Sequence, residues 1–313
     1  MNENIREILV VSLSNLGDVI LTTPVITTLH EHYPKAFISV VVGPKAESLF
    51  RGSATIDQVV IYNKKGDISS KTKFIIELRK RKYDLVVDLR NTLIPYLVQT
   101  KKRTGPFMRP TAVSMRERHL SRLNFLNIHE GKLKFDFFSE GEVRSARQKL
   151  LQNGISWEGG FVVLAPGAGN YFKRWPAERF REAANHFLSR GKQVVIVGSP
   201  DERELGKDLQ GVLSGRISNL CGVFSLRELA AVLNDSEIVL CCDSGIMHLA
   251  NELNAPVVAL FGPTDEKKYA KFGPYNRVIK PKTKETNEEK LMKEISTEEV
   301  IQACEELLSA ETH

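Results

Sequence analysis

The sequence predicts an α/β protein made of two successive doubly wound halves. Two observations predict the class, and a third predicts the duplication. Apolar runs of four to six residues recur along the chain, among them "FISVVV" and "QVVIV". Stretches with apolar residues at helical spacing alternate with them. Continuous apolar runs mark strands buried on both faces, and strands alternating with helices build βαβ units on a parallel sheet. The series loses its regularity near residue 100 and restarts near residue 160. At roughly 100–200 residues per domain, a chain of 313 residues has room for two such domains.

The elements follow in order. "ILVVSL" opens the first half, and "SNLGDV" turns the chain into the helical "ILTTPVITTLHEHY". "FISVVV" and "QVVIY" are further strands, "KTKFIIELRKRKY" is a helix, and "DLVVDL" is a strand. Residues 100–150 are basic and less regular until "GEVRSARQKLLQNGI", a helix ending at Gly154. "GFVVLAPGAGN" is then a strand with a glycine turn. "PAERFREAANHFLSRGK" is a helix with Pro at its first position and Gly near its end. "QVVIVG", "EIVLCCDSG" and "PVVALFG" are strands, and "SLRELAAVLNDS" is a helix with a Ser cap. "KPKTKETNEEK" reads as a mobile charged connection, and Ser296 and Glu299 form a capping-box pattern on the closing helix. The expected domains are 1–155 and 156–313.

Composition excludes several classes. At 42% hydrophobic and 26% charged, the chain is an ordinary globular sequence. No apolar run approaches the roughly 18 residues of a membrane span, and "MNENIRE" lacks the apolar core of a signal peptide. Cys221, Cys241, Cys242 and Cys304 form no C-x-x-C pair, and the histidines lack zinc spacing. A reducing cytoplasm is therefore expected. The net charge of +6 is uneven: residues 1–155 carry +10 and residues 156–313 carry −4. A basic first half fits an acidic partner, with a solvated surface as the ordinary alternative.

Four stretches carry chemistry. In "LAPGAGNYFKRWP", Gly167 and Gly169 let the backbone approach an anion, and Lys173 reaches the same charge. In "CCDSGIMHLANELNAPVVALFGPTD", a strand ends at Asp243, and Ser244 and Gly245 offer N–H groups at a helix start. His248 follows on its first turn, where it faces a ligand or packs in the core, while Asp243 suits a sugar hydroxyl or a cap. Glu202, after "QVVIV", is placed to accept ribose hydroxyls or to cap a helix. In "SNLGDV" the single glycine and the acid Asp18 make a poor phosphate loop.

"SNLGDVILTTPVI", "PGAGNYFKRWPAERF", "GSPDERE" and "CDSGIMHLANELNAPVVALFGPTD", in this order and at these distances, resemble the ADP-heptose:lipopolysaccharide heptosyltransferase family, glycosyltransferase family 9. The ending "LMKEISTEEVIQACEELL" resembles it too. The resemblance implies a GT-B fold, with two Rossmann-like domains facing a central cleft, acceptor in the N-terminal one and donor in the C-terminal one, and the final helix, about 296–310, packing back toward the first. It implies inverting, metal-independent transfer from ADP-heptose to an inner-core sugar of lipopolysaccharide, with no cofactor. By position, Asp18 is the catalytic base. Lys173, Ser244, Gly245 and the turn of Gly167, Ala168, Gly169 and Asn170 bind the donor phosphates. Asp243 and His248 hold donor sugar and phosphate, and Glu202 holds ribose.

The acceptor side is the least similar part. Lys101, Lys102, Arg103, Arg109, Arg116, Arg118, Arg122 and His119 cluster there, with Glu117 the only acid from 101 to 122. Asn15, Arg90 and Arg116 are the expected acceptor contacts. The implied partners are the nucleotide sugar and an acidic lipid-linked oligosaccharide, met by a monomer at the cytoplasmic face of the inner membrane. The nearer alternative is a GT-B transferase with another nucleotide sugar or a non-lipopolysaccharide acceptor. An NAD-type oxidoreductase is disfavoured, because neither glycine turn fits G-x-G-x-x-G. Nucleic acid is disfavoured too, because the basic region has no aromatic platform.

Overall fold

A computed structural model describes residues 4–13, 15–105, 112–211, 213–282 and 287–310. Arg109 and part of "KPKTKETNEEK" lie outside the described residues. The chain divides into two compact units, Met1–Phe137 and Phe138–His313. The division therefore falls ahead of helix Glu140–Gln152, not behind it as expected. The cause is a polar clamp. Glu142 pairs with Arg227 at 3.0 Å and Lys149 with Glu228 at 2.7 Å, while Ser145 bonds the same Glu228. Both partners belong to helix Leu226–Asp235 of the second unit.

The first unit holds β1 (Glu7–Val11), β2 (Phe37–Val42), β3 (Gln58–Ile61), β4 (Tyr83–Asp88) and β5 (Thr100–Arg103). They form one parallel sheet in the order β3-β2-β1-β4-β5. The second unit holds β6 (Phe161–Ala165), β7 (Gln193–Ile196), β8 (Ile217–Asn219), β9 (Ile238–Cys242), β10 (Val257–Leu260) and β11 (Asn276–Ile279). Their order is β11-β10-β9-β6-β7-β8, again parallel. Both orders are doubly wound, as the alternating pattern predicts. β5, β8 and β11 are short edge strands that the pattern leaves out.

Each sheet has one topological switch point, where ligands of such folds bind. In the first unit it lies between β1 and β4, where Val11 is in register with Asp88. In the second it lies between β6 and β9, where Ala165 is in register with Cys241. Each unit has its own apolar core. Leu9, Val11, Val41, Leu78 and Val86 anchor the first. Val162, Leu164, Trp175, Phe180, Phe187 and Leu240 anchor the second. The closing helix Thr297–Ala310 buries Val300, Cys304 and Leu307 in that second core, and Ser296 Oγ accepts the Glu299 N–H at its start.

Candidate active site

The second unit's switch point is built from two loops tied together. After β6 the chain makes the 167–170 turn and a single 3₁₀ turn, Tyr171–Lys173. The Asn170 side chain accepts the Phe172 N–H at 3.1 Å, and the Arg174 guanidinium bonds the Ala168 carbonyl at 3.0 Å. Pro176 is the N-cap of helix Ala177–Ser189, one place ahead of its expected position. Cys242, at the end of β9, donates its thiol to the Pro166 carbonyl at 3.6 Å and accepts the Trp175 N–H at 3.4 Å. Burial pushes this thiol up to about 12, so it keeps the proton that the bond to Pro166 needs.

These ties bring Lys173 to Asp243, Nζ to Oδ2 at 2.8 Å. Asp243 is 5% exposed and Lys173 28% exposed, so the pair is half-sheltered. Asp243 is thus a partner of Lys173, and Ser244 is the N-cap of helix Gly245–Leu253. The Ser244 side chain caps nothing, and its buried Oγ has no hydrogen-bond partner among the described residues. A buried hydroxyl without a partner is costly, and the first N–H groups of a helix lack intrahelical acceptors. An uncapped helix start, an idle hydroxyl and a lysine are groups that can meet an oxyanion. His248 is buried on the same first turn, its ring 6.1 Å from that of Tyr269.

The two glycines of the turn have different constraints. A Cβ on Gly167 would collide with the Glu202 carboxylate, whereas a Cβ on Gly169 would meet nothing within 4 Å. Glu202 itself accepts the Ser199 N–H at 2.7 Å in a capping box. That is the capping role the sequence left open beside the ribose role. Among the described residues, no group of three His, Cys, Asp or Glu could hold a metal ion.

In the first unit, β1 leads through the N-cap Asn15 into the short helix Leu16–Ile20, with Asp18 in its first turn. Thr22 Oγ1 donates to the Val19 carbonyl and accepts from Ser12 Oγ, both at 2.6 Å. This pins the helix to the end of β1. Across the switch point, the buried Asp88 accepts the Arg90 N–H at 2.8 Å and the Thr92 hydroxyl at 3.0 Å. The tight turn puts Asn91 in the left-handed region, φ 53°. It also brings Arg90 Nη1 to 3.9 Å from Asp18 Oδ2. Asn91 Oδ1 accepts from Arg122 Nη2 at 2.9 Å.

Arg90 and Asp18 are therefore brought together. Arg116 is instead forked on Glu130, at 2.6 and 3.0 Å. Sequence reasoning missed Asp88, which shapes the Arg90 turn, although an Asp two residues before an Arg-Asn pair at a strand end is a turn signal. It also counted His119 and Arg122 with the basic cluster of the acceptor side, yet both are buried. Burial, with the charges of Arg90 and Arg122 nearby, pushes His119 down to about 4.

The family described as "Glycosyltransferase family 9 (heptosyltransferase)" matches residues 116–301. The chain is 27% identical to "Lipopolysaccharide heptosyltransferase 3" of Escherichia coli, over 80% of this chain and 81% of that protein. The glycosyltransferase family 9 structure from Veillonella parvula DSM 2008 superposes with a TM-score of 0.84 at 26% identity, covering 98% of this chain and 100% of that one. The E. coli ADP-heptose lps heptosyltransferase II structure superposes with a TM-score of 0.82 at 25% identity, with the same coverage of 98% and 100%. The two doubly wound sheets have the GT-B fold of these neighbours. The family pattern spans more than half of the sequence, from helix Met115–Leu120 into the closing helix, and this chain belongs to glycosyltransferase family 9 (heptosyltransferase), a family of transferases.

Proposed function

We propose that this chain transfers heptose from ADP-heptose to an acidic inner-core sugar of lipopolysaccharide, with inversion, with Asp18 as general base and without a metal ion. The observation that carries the reading is the oxyanion receptacle of Lys173, Ser244 and the uncapped start of helix Gly245–Leu253. A diphosphate leaving group gains charge as its bond to the sugar breaks. Lys173 and the helix N–H groups meet that charge. Glu202 then takes the ribose hydroxyls, and Asp243 and His248 take the sugar and its phosphate.

The acceptor hydroxyl oxygen attacks the anomeric carbon. The electron pair of the breaking C–O bond leaves with ADP, and the hydroxyl proton passes to Asp18. A carboxylate is a sufficient base, because an oxocarbenium-like transition state acidifies the attacking hydroxyl. At 3.9 Å the contact with Arg90 is longer than a hydrogen bond, which leaves Asp18 able to take a proton. The basic first unit draws the acceptor to the membrane surface. No helix of the described residues is long and apolar enough to cross a membrane, so contact there is peripheral in this reading.

The test is a panel of ADP- and UDP-sugars assayed for transfer to a heptose-deficient core acceptor, with and without EDTA. The expected result is preference for ADP-heptose, with turnover unchanged by EDTA. Preference for a UDP-sugar would overturn the donor, and loss of turnover in EDTA would overturn the metal-free chemistry.

A further inference from the structure

We propose that Cys242 is a positioning residue for the donor side of the reaction. Its thiol clasps the 166–175 loop at both ends and thereby sets Lys173 where the leaving group gains charge. The proposal rests on the reading of the second unit as the donor-binding half.

The clasped loop leads from β6 to helix Ala177–Ser189 and carries both the glycine turn and Lys173. Cys242 ends β9, the neighbour of β6 across the switch point. Its Sγ donates to the carbonyl of Pro166, at the start of the loop, and accepts the N–H of Trp175, at its end. Pro166 and Trp175 are both buried, and buried backbone groups need partners. One sulfur atom serves both. The adjacent thiol has a different role: successive strand residues face opposite ways, and Cys241 Sγ bonds the Val258 carbonyl of β10.

Further bonds brace the loop between its ends. Arg174 holds the Ala168 carbonyl, and the Asn170 side chain accepts the Phe172 N–H. Trp175 is 1% exposed, and its indole N–H donates to the Ile295 carbonyl at 3.0 Å. Cys242 also directly precedes Asp243, which meets Lys173 at 2.8 Å. One strand end therefore places both members of that pair, Asp243 through the chain and Lys173 through the clasped loop. A thiol is a weak donor and a weak acceptor. Its effect lies in where it holds the loop, because a misplacement of about 1 Å can cost a reacting group roughly 10²-fold.

The experiment compares Cys242→Ala, Cys242→Ser and Cys304→Ala in the full chain. Alanine and serine both remove the sulfur, and only serine keeps a donor and an acceptor. Cys304, buried in the same core from the closing helix, controls for loss of a sulfur. The readouts are ADP affinity, kcat, both KM values and amide hydrogen exchange at Trp175. Cys242→Ala is expected to weaken ADP binding about tenfold and to lower kcat about 10- to 100-fold, with acceptor KM unchanged. Exchange at Trp175 should quicken. Cys242→Ser should recover most of these losses, and Cys304→Ala should show none of them. A residue that only fills the core predicts the opposite order, because serine then buries an unpaired hydroxyl. Serine no better than alanine therefore overturns the proposal. A double-mutant cycle tests the route through Lys173. In a Lys173→Ala background, Cys242→Ala should weaken ADP binding less than about twofold, and an undiminished loss there overturns the proposal too. Should Cys242→Ala not fold, Cys242→Val takes its place, since it keeps apolar volume without a donor or an acceptor. If the wild type binds no ADP, the donor reading fails, while faster Trp175 exchange in Cys242→Ala still establishes the clasp.

Discussion

At the scale of single residues, the site separates groups held for structure from groups left free to react. Asp88 and Asp18 sit across one switch point, and their surroundings differ. Asp88 is buried, and three donors from its own turn occupy its oxygens. Among the described residues, the Asp18 carboxylate has only the 3.9 Å contact with Arg90, and both side chains are more than a fifth exposed. Such a pair contributes on the order of 0–1 kcal/mol. Asp18→Asn is therefore expected to leave the melting temperature nearly unchanged. Turnover should fall about 10²- to 10⁴-fold, the usual contribution of a general base. Donor KM should hold, because the donor-side residues all belong to the second unit. Steady-state kinetics beside thermal unfolding check this, and full turnover in Asp18→Asn would remove Asp18 from the mechanism. The place of Asp18 at a helix start after β1 was legible, because an acid stands where a phosphate loop would not have one. The pairing of Lys173 with Asp243 and the burial of Arg122 were not legible, since both arise from residues 70 and 31 positions away in sequence.

At the scale of elements, Ser225 and Ser244 each start a helix of the second unit, and these two serines have opposite roles. Ser225 accepts the Glu228 N–H at 3.2 Å, while Glu228 accepts the Ser225 N–H at 2.7 Å, a complete capping box. Ser244 makes no cap bond. Ser225→Ala should therefore cost about 1 kcal/mol of stability. Ser244→Ala should cost little or even stabilise, because it removes an unsatisfied hydroxyl, yet it should weaken ADP binding. Denaturant melts and ADP titrations of both variants decide it; a destabilised Ser244→Ala with normal ADP affinity would remove Ser244 from the receptacle. The Glu142 clamp adds a pH dependence. Burial opposes ionisation of Glu142, but bonds from Ser139 and Arg227 outweigh it and hold the carboxyl down to about 2. A depressed folded pKa stabilises fully above the unfolded value near 4.5, and that contribution is lost as pH falls toward 2. Glu142→Gln should flatten stability across that window, as read from melts at several pH values. The long central strands were legible as continuous apolar runs. The edge strands were not, because "TKKR" in β5 is polar and pairs only through its neighbour β4. The unit boundary was not legible either, because the clamp that assigns helix Glu140–Gln152 joins charged residues about 80 positions apart.

At the scale of the whole molecule, one topology occurs twice with different contents at its switch point. The strand orders β3-β2-β1-β4-β5 and β11-β10-β9-β6-β7-β8 follow the same winding rule. In the first unit the switch point presents a carboxylate and arginines; in the second it presents a lysine, an idle hydroxyl and an uncapped helix. Charge follows the same division, with +9 in residues 1–137 and −3 in residues 138–313. In the proposed reading the basic excess therefore lies with the acceptor half, while the donor half takes its anion by local geometry. Local geometry predicts a local response. ADP should slow amide hydrogen exchange in residues 167–173 and 244–248, where backbone N–H groups meet the diphosphate. Residues 16–20 and 88–92 should exchange at the same rate with ADP as without it. An acidic acceptor fragment should do the reverse. Slowed exchange at 88–92 with ADP alone would mean that the two units share one ligand, and the assignment of donor to one unit and acceptor to the other would fail.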